Sequence, residues 1–178
     1  MHTTYARINN ASAFLSSCAM ALLAMIAVSS LLFTADPKGT LAIDNVQIYP
    51  GKGRRYVNKN HDFAFVHFNV TADLTPLFNW NTKQLFLYLQ AEYEDAKGTK
   101  NEVVIWDRIV RTKDAANLAV QGRNKYAFRN VASTFKNVGP ANYSLRYSVM
   151  PYVGLLTYGE AARTADVIPF PSKREGVA

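Results

Sequence analysis

The 28 positions from Ile8 to Ala35 carry no charge, and Phe14 to Phe33 form the apolar centre of that run. Wound as a helix at about 1.5 Å per residue, the run reaches about 42 Å. A bilayer's hydrocarbon core is about 30 Å thick, so the length suffices to cross it with some tilt. The pattern predicts a transmembrane helix over residues 12–34, capped by Ser12, after a short segment 1–11. A cleaved leader is the competing reading, but its apolar region is usually about 7–15 residues long. The exit Leu31-Leu32-Phe33-Thr34-Ala35-Asp36 also puts Phe33 where a cut at Ala35 requires a small side chain. An uncleaved anchor is therefore expected.

Beyond residue 40 the period changes. Leu41 to Tyr49 reads as a strand closed by Pro50-Gly51-Lys52-Gly53, with a basic turn at Lys52, Arg54 and Arg55. In Phe63 to Val70, Ala64, Val66, Phe68 and Val70 share one face, while Phe63, Phe65, His67 and Asn69 share the other. Leu74 to Trp80 breaks the alternation, and Pro76 is suited to open a short helical turn. Lys83 to Glu94 is a strong strand with apolar residues on both faces, followed by a turn at Asp95-Ala96-Lys97-Gly98 and a strand from Val103 to Val110. Weaker segments lie at Leu118–Val120 and Lys125–Val131. Tyr143, Leu145, Tyr147 and Val149 alternate with Ser144, Arg146 and Ser148, which predicts one wet face. Pro151 and Gly154 close that strand, and Val167-Ile168 ends the extended pieces.

About seven short strands with almost no helical period predict an antiparallel β-sandwich over residues 35–168, with a tail at 169–178. A domain of roughly 140 residues buries about two-thirds of its surface, enough for a core without staples.

Composition narrows the chemistry. The one cysteine, Cys18, lies inside the apolar run, which removes disulfides and multi-cysteine zinc sites from the domain. Three histidines leave little for a metal cluster, and no metal or cofactor is expected. The net charge of +7 permits contact with anionic surfaces without requiring it, and no nucleic-acid partner is called for. Asn69-Val70-Thr71 and Asn142-Tyr143-Ser144 fit the glycosylation triplet and follow the span, which favours a lumenal domain. Asn142 shares the predicted wet face and is the favoured acceptor. Asn69 shares a face with Phe63 and Phe65, so burial is expected to compete there. Asn10-Ala11-Ser12 lies at the membrane boundary. Small residues Ala13, Ser17, Ala21 and Ala24 fall near helical spacing, but seven alanines and five serines in 28 positions make some small face unavoidable.

The segment Asp73-Leu74-Thr75-Pro76-Leu77-Phe78-Asn79-Trp80-Asn81-Thr82-Lys83-Gln84-Leu85-Phe86-Leu87-Tyr88-Leu89-Gln90-Ala91-Glu92-Tyr93 closely resembles subunit 3 of the eukaryotic signal peptidase complex, the 22/23 kDa family. Val103 to Ile109 looks like that family's following strand, and Val167-Ile168-Pro169-Phe170-Pro171 also fits. The resemblance covers essentially the whole chain. It implies a type II protein of the endoplasmic reticulum membrane with residues 1–11 cytosolic. It also implies a glycosylated asparagine at Asn142 and an accessory role beside a separate catalytic subunit and its companions.

Serines and histidines after the span offer candidate catalytic groups. Ser148-Val149-Met150-Pro151 differs from the Ser-Met-x-Pro nucleophile motif by a displaced methionine. His61 and His67 are the only histidines after the span, and His67 with Asp73, or Glu92 with Glu94, are the acid–base sets that can be drawn. Polar residues on an edge strand or at the surface account for each more economically. Two other classes remain as alternatives: a membrane-tethered hydrolase using Ser148 or His67, and a free-standing sandwich that binds glycans or lipids. For the accessory reading, Phe78, Asn79, Trp80 and Lys83 are the expected partner contacts, because aromatics among polar neighbours suit an interface.

Overall fold

The computed structural model describes residues 3–52 and 60–171. One helix, α1 (Thr4–Leu31), precedes seven strands: β1 (Lys38–Lys52), β2 (Asn60–Asp73), β3 (Thr82–Glu94), β4 (Lys100–Val110), β5 (Asn117–Arg123), β6 (Asn142–Pro151) and β7 (Thr157–Arg163). All pairings are antiparallel. A three-stranded sheet has the order β1-β2-β5 and a four-stranded sheet the order β4-β3-β6-β7. The basic turn at Arg54 and Arg55, the side chain of Lys52 and tail residues 172–178 lie outside the described residues.

Period-two alternation builds the core. Val66, Phe68 and Val70 of β2 face Leu85, Leu87 and Leu89 of β3 across the sandwich, and all six are fully buried. Phe68 meets Trp106 of the opposite sheet edge-to-face at 5.6 Å, a favoured aromatic geometry. A bulge opposite Leu89 and Gln90 leaves Ile105 of β4 as the extra residue, without a ladder partner and fully buried. Near the start of β1 the sheets come close at Gly39, where a Cβ would stand 3.0 Å from the Ala161 carbonyl oxygen and 3.1 Å from the Ala72 Cβ. Glycine is the residue that fits this approach. The opposite end is closed by Tyr93, Phe128, Phe135 and Phe170, with ring centroids 4.8–6.5 Å apart.

Three expectations need correction. Lys125–Val131 is not a strand: only Phe128 bridges to Ala64. Asn124 turns the chain there, its amide accepting from Val66 N at 3.0 Å and donating to Tyr126 O at 2.7 Å. Conversely, Thr157–Arg163 forms β7, an edge strand that its Gly-Glu-Ala-Ala run conceals, since those residues are poor strand formers. The helix starts earlier than Ser12. Thr3 caps it, its side chain accepting from Ala6 N at 3.3 Å, so Ser12 sits within the helix.

The predicted wet face of β6 is polar but not open. Ser144 and Ser148 are only 1% and 4% exposed, because they are short side chains among larger neighbours. Asn142 is half-buried at the strand's first position, and its Oδ1 accepts from Thr164 Oγ1 at 2.8 Å. Asn69, expected to be at risk of burial, is exposed on the open outer face of the three-stranded sheet.

Tyr143 is fully buried in the core, and its hydroxyl has no hydrogen-bond partner among the described residues. Desolvation pushes its ionisation well above the ordinary tyrosine range. Replacing a buried, unpaired hydroxyl by hydrogen removes a desolvation penalty. Tyr143→Phe is therefore expected to leave stability unchanged or raise it by up to about 1 kcal/mol, read by near-ultraviolet circular dichroism of the full chain unfolding in detergent. A loss of more than about 1 kcal/mol would mean that the hydroxyl is bonded.

Candidate interface at the helix–sandwich junction

Helix α1 is long and apolar enough to cross a membrane. None of its residues is buried, and apolar side chains such as Phe14, Leu15, Met20 and Leu22 project from it on several sides. An all-round apolar helix needs a non-aqueous surrounding. Near its end one flank becomes half-buried, at Ile26, Ala27, Ser29 and Ser30.

What covers that flank is the turn connecting β6 to β7. Gly154, at φ +121°, lies at its tip, and a Cβ built there would stand 3.4 Å from Ala27 Cα. Glycine thus supplies both the left-handed backbone and the close approach. The turn before β3 secures the contact. Asn79 Oδ1 accepts from Asn81 N at 2.9 Å and Asn79 O accepts from Thr82 N at 3.1 Å, an Asx-type turn. Thr82 Oγ1 donates to Leu77 O at 2.9 Å. This geometry buries the side chain of Asn81 and aims it at the helix and the β6–β7 turn at once. Its Nδ2 donates to Val153 O at 2.7 Å and to Ser30 Oγ of the helix. Its Oδ1 accepts from Val153 N at 3.1 Å, and its main-chain oxygen accepts from Tyr152 N at 2.8 Å. An amide offers both donors and acceptors, so it can pair the N–H and the C=O of one residue as a neighbouring strand would.

The predicted contact residues divide accordingly. Phe78 is half-buried and packs on the core, and Asn79 holds the turn. Trp80 is 61% exposed, and Lys83 is exposed beside it. A cleft of about 320 Å³ opens between the helix foot and the sandwich, lined by Ser30, Phe33, Pro76, Tyr147, Leu155 and Tyr158 among others.

From this junction the outer face of the four-stranded sheet runs away from the helix and changes character along its length. At the near end Phe86 stacks on Tyr88 at 5.7 Å. Phe86 pairs in register with Ile109 on one side and Ser148 on the other, and Ser148 pairs with Tyr158. Ile109 and Tyr158 are exposed. At the far end the face carries an alternating ion network. Glu92 Oε1 meets Arg146 Nη2 at 2.7 Å and Glu92 Oε2 meets Arg163 Nη1 at 3.6 Å. Arg163 grips Glu160 with two bonds at 2.8 and 2.9 Å. The Arg163 guanidinium holds the Glu160 carboxyl below the usual carboxylate range. On the adjacent edge, Lys125 Nζ at 2.6 Å and Tyr126 OH at 2.8 Å do the same for Asp107. The face is thus an apolar patch near the helix followed by a charge-balanced rim.

The catalytic sets drawn from the sequence do not assemble. His67 and Asp73 both lie on β2 six residues apart, about 20 Å along a strand. Ser148 belongs to the other sheet, and its cross-strand neighbours Phe86 and Tyr158 are not bases. Glu92 is engaged by arginines, whereas Glu94 is exposed. Among the described residues no group of three His, Cys, Asp or Glu is placed to hold a metal ion.

Sequence reasoning missed Asn81 and the β6–β7 turn. Leu74–Thr82 and Tyr147–Gly159 carry no charge, but neither do Phe63–Ala72 and Asn137–Leu145, so absence of charge alone does not single out the segments that meet the end of the helix.

Residues 1–173 match the family described as signal peptidase subunit, SPC22. A protein named signal peptidase complex subunit 3 from Caenorhabditis briggsae is 32% identical over 97% of this chain and 96% of its own length. One of the same name from Gallus gallus is 32% identical over 98% of this chain and 97% of its own. The Saccharomyces cerevisiae protein of that name is 44% identical over 96 residues, about half of each chain.

Asn81→Ala would leave the N–H and the C=O of Val153 unpaired, at a cost of about 1–3 kcal/mol. Hydrogen exchange of the full chain in detergent should then show faster exchange at Val153, with core strands such as β3 still protected. Unchanged exchange at Val153 would show that Asn81 does not fasten the turn.

Proposed function

Because the chain belongs to the signal peptidase subunit family, we propose that it is a non-catalytic accessory subunit of the signal peptidase complex. In this reading it sits in the endoplasmic reticulum membrane by one span, with residues 1–11 cytosolic and the sandwich lumenal. The sandwich braces the catalytic subunit, which removes signal peptides from nascent secretory chains. The single observation that carries the reading is the match over residues 1–173, which takes in both the apolar helix and the sandwich.

The geometry supports an action by contact. A domain fastened to its own membrane helix meets a membrane-bound partner at high effective concentration. The outer face of the four-stranded sheet offers the two components of an interface, an apolar centre and a polar rim. Phe86, Ile109 and Tyr158 supply the first, and Glu92, Arg146, Glu160 and Arg163 the second. Trp80 and Lys83 extend this surface toward the membrane. The separation of His67 from Asp73 and the apolar neighbours of Ser148 support a chain that leaves peptide cleavage to its partner. Asn142, at the start of β6, is the favoured glycan acceptor in this topology, and Asn69, exposed on the other sheet, is the second candidate.

Isolation of the catalytic subunit from microsomes should retain this chain, and a complex lacking it should lose signal peptide processing. Phe86→Glu with Ile109→Glu should reduce its recovery with the catalytic subunit at least tenfold, while Val131→Glu on the far loop should not (tenfold being about 1.4 kcal/mol). Ser148→Ala and His67→Ala should process at the unaltered rate. Full processing by a complex without this chain would overturn the bracing role, and loss of processing in either alanine variant would return catalysis to this chain.

A further inference from the structure

We infer that the β6–β7 turn, Tyr152 to Leu156, is a second membrane-contacting element. In this assignment it lies in the boundary layer between lipid headgroups and acyl chains, beside the end of α1. The inference rests on the helix crossing a bilayer, and not on which complex the chain enters. The turn touches the helix at Ala27, four residues before the helix ends, or about 6 Å along its axis. Whatever surrounds that part of the helix also surrounds the turn. The 20 residues Ala11 to Ser30 span about 30 Å, the thickness of the hydrocarbon core. A bilayer centred on them has its sandwich-side boundary at the level of the turn.

The side chains fit that level. Tyr152 is 68% exposed, Leu155 71% and Leu156 48%. Isolated exposed apolar residues are ordinary, but these three fall within five positions and adjoin an apolar helix. No charge occurs between Arg146 and Glu160, so no ion has to leave water. A tyrosine with two leucines is the mixture that boundary layers favour.

The backbone fits as well. Peptide groups at membrane depth must be paired within the protein. The Tyr152 N–H and the N–H and C=O of Val153 are paired to Asn81. The occupant of its exposed side is therefore the lipid boundary layer.

The test uses the full chain in phosphatidylcholine vesicles with Cys18→Ser as background. A nitroxide is placed at Leu155→Cys, with Met20→Cys in the helix and Val131→Cys on the far loop as references. Collision rates with oxygen and with a water-soluble nickel chelate report depth. The oxygen-to-nickel ratio at position 155 is expected to be severalfold above that at position 131 and below that at position 20. A ratio equal to that at 131 would overturn the inference, because the turn would then be in water. Low collision with both reagents would also overturn it, by showing protein cover in place of lipid. Tyr152→Cys provides a second, independent reading of the same depth.

Discussion

A single buried amide sets how the two parts of this protein are arranged. A membrane helix joined to a folded domain by a few residues is ordinarily free to swivel. Here Asn81 bonds to Ser30 of the helix and to the N–H and C=O of Val153. Gly154 presses on Ala27, and Ala35 in the linker packs against the core. These contacts hold the sandwich at one height and one rotation relative to the helix. Without them the sheet face that begins at Phe86 has no defined distance from the membrane.

That constraint gives an accessory chain something to do. An accessory subunit acts by where it puts its surfaces. The outer face of the four-stranded sheet grades from Phe86, Tyr88 and Ile109 near the helix to the Glu92–Arg146–Glu160–Arg163 network farther out. The network holds two charges of each sign, so it contributes complementarity and register more than attraction. A surface of this kind, fixed above a bilayer, suits the bracing of another membrane-bound subunit.

Much of the fold was legible in the sequence because its signals are local. Strict alternation in Ala64–Val70 and the density of leucine in Leu85–Leu89 specify buried strands by themselves. Pro76 marked the short helical turn at Thr75–Leu77. What escaped depends on distant residues. Strand β7 is poor in strand formers and exists because β6 offers it a ladder. The closure of Ser144 and Ser148 follows from neighbours on other strands, which periodicity cannot see. Asn81 stood in plain view in the Phe-Asn-Trp-Asn segment, yet its side-chain partners Ser30 and Val153 lie 51 and 72 residues away. The contact quartet Phe78, Asn79, Trp80 and Lys83 divides because the turn consumes Asn79 and the core takes Phe78, whereas Trp80 and Lys83 point outward.

The rigid junction can be measured directly. Native Cys18 in the helix and an added cysteine at Val131, at the sandwich's far end, can both carry nitroxides in the full chain in a lipid nanodisc. Pulsed dipolar spectroscopy then gives the distance distribution between helix and domain. One narrow distribution is the predicted result. A broad distribution spanning many helix–domain orientations would contradict the account at its foundation.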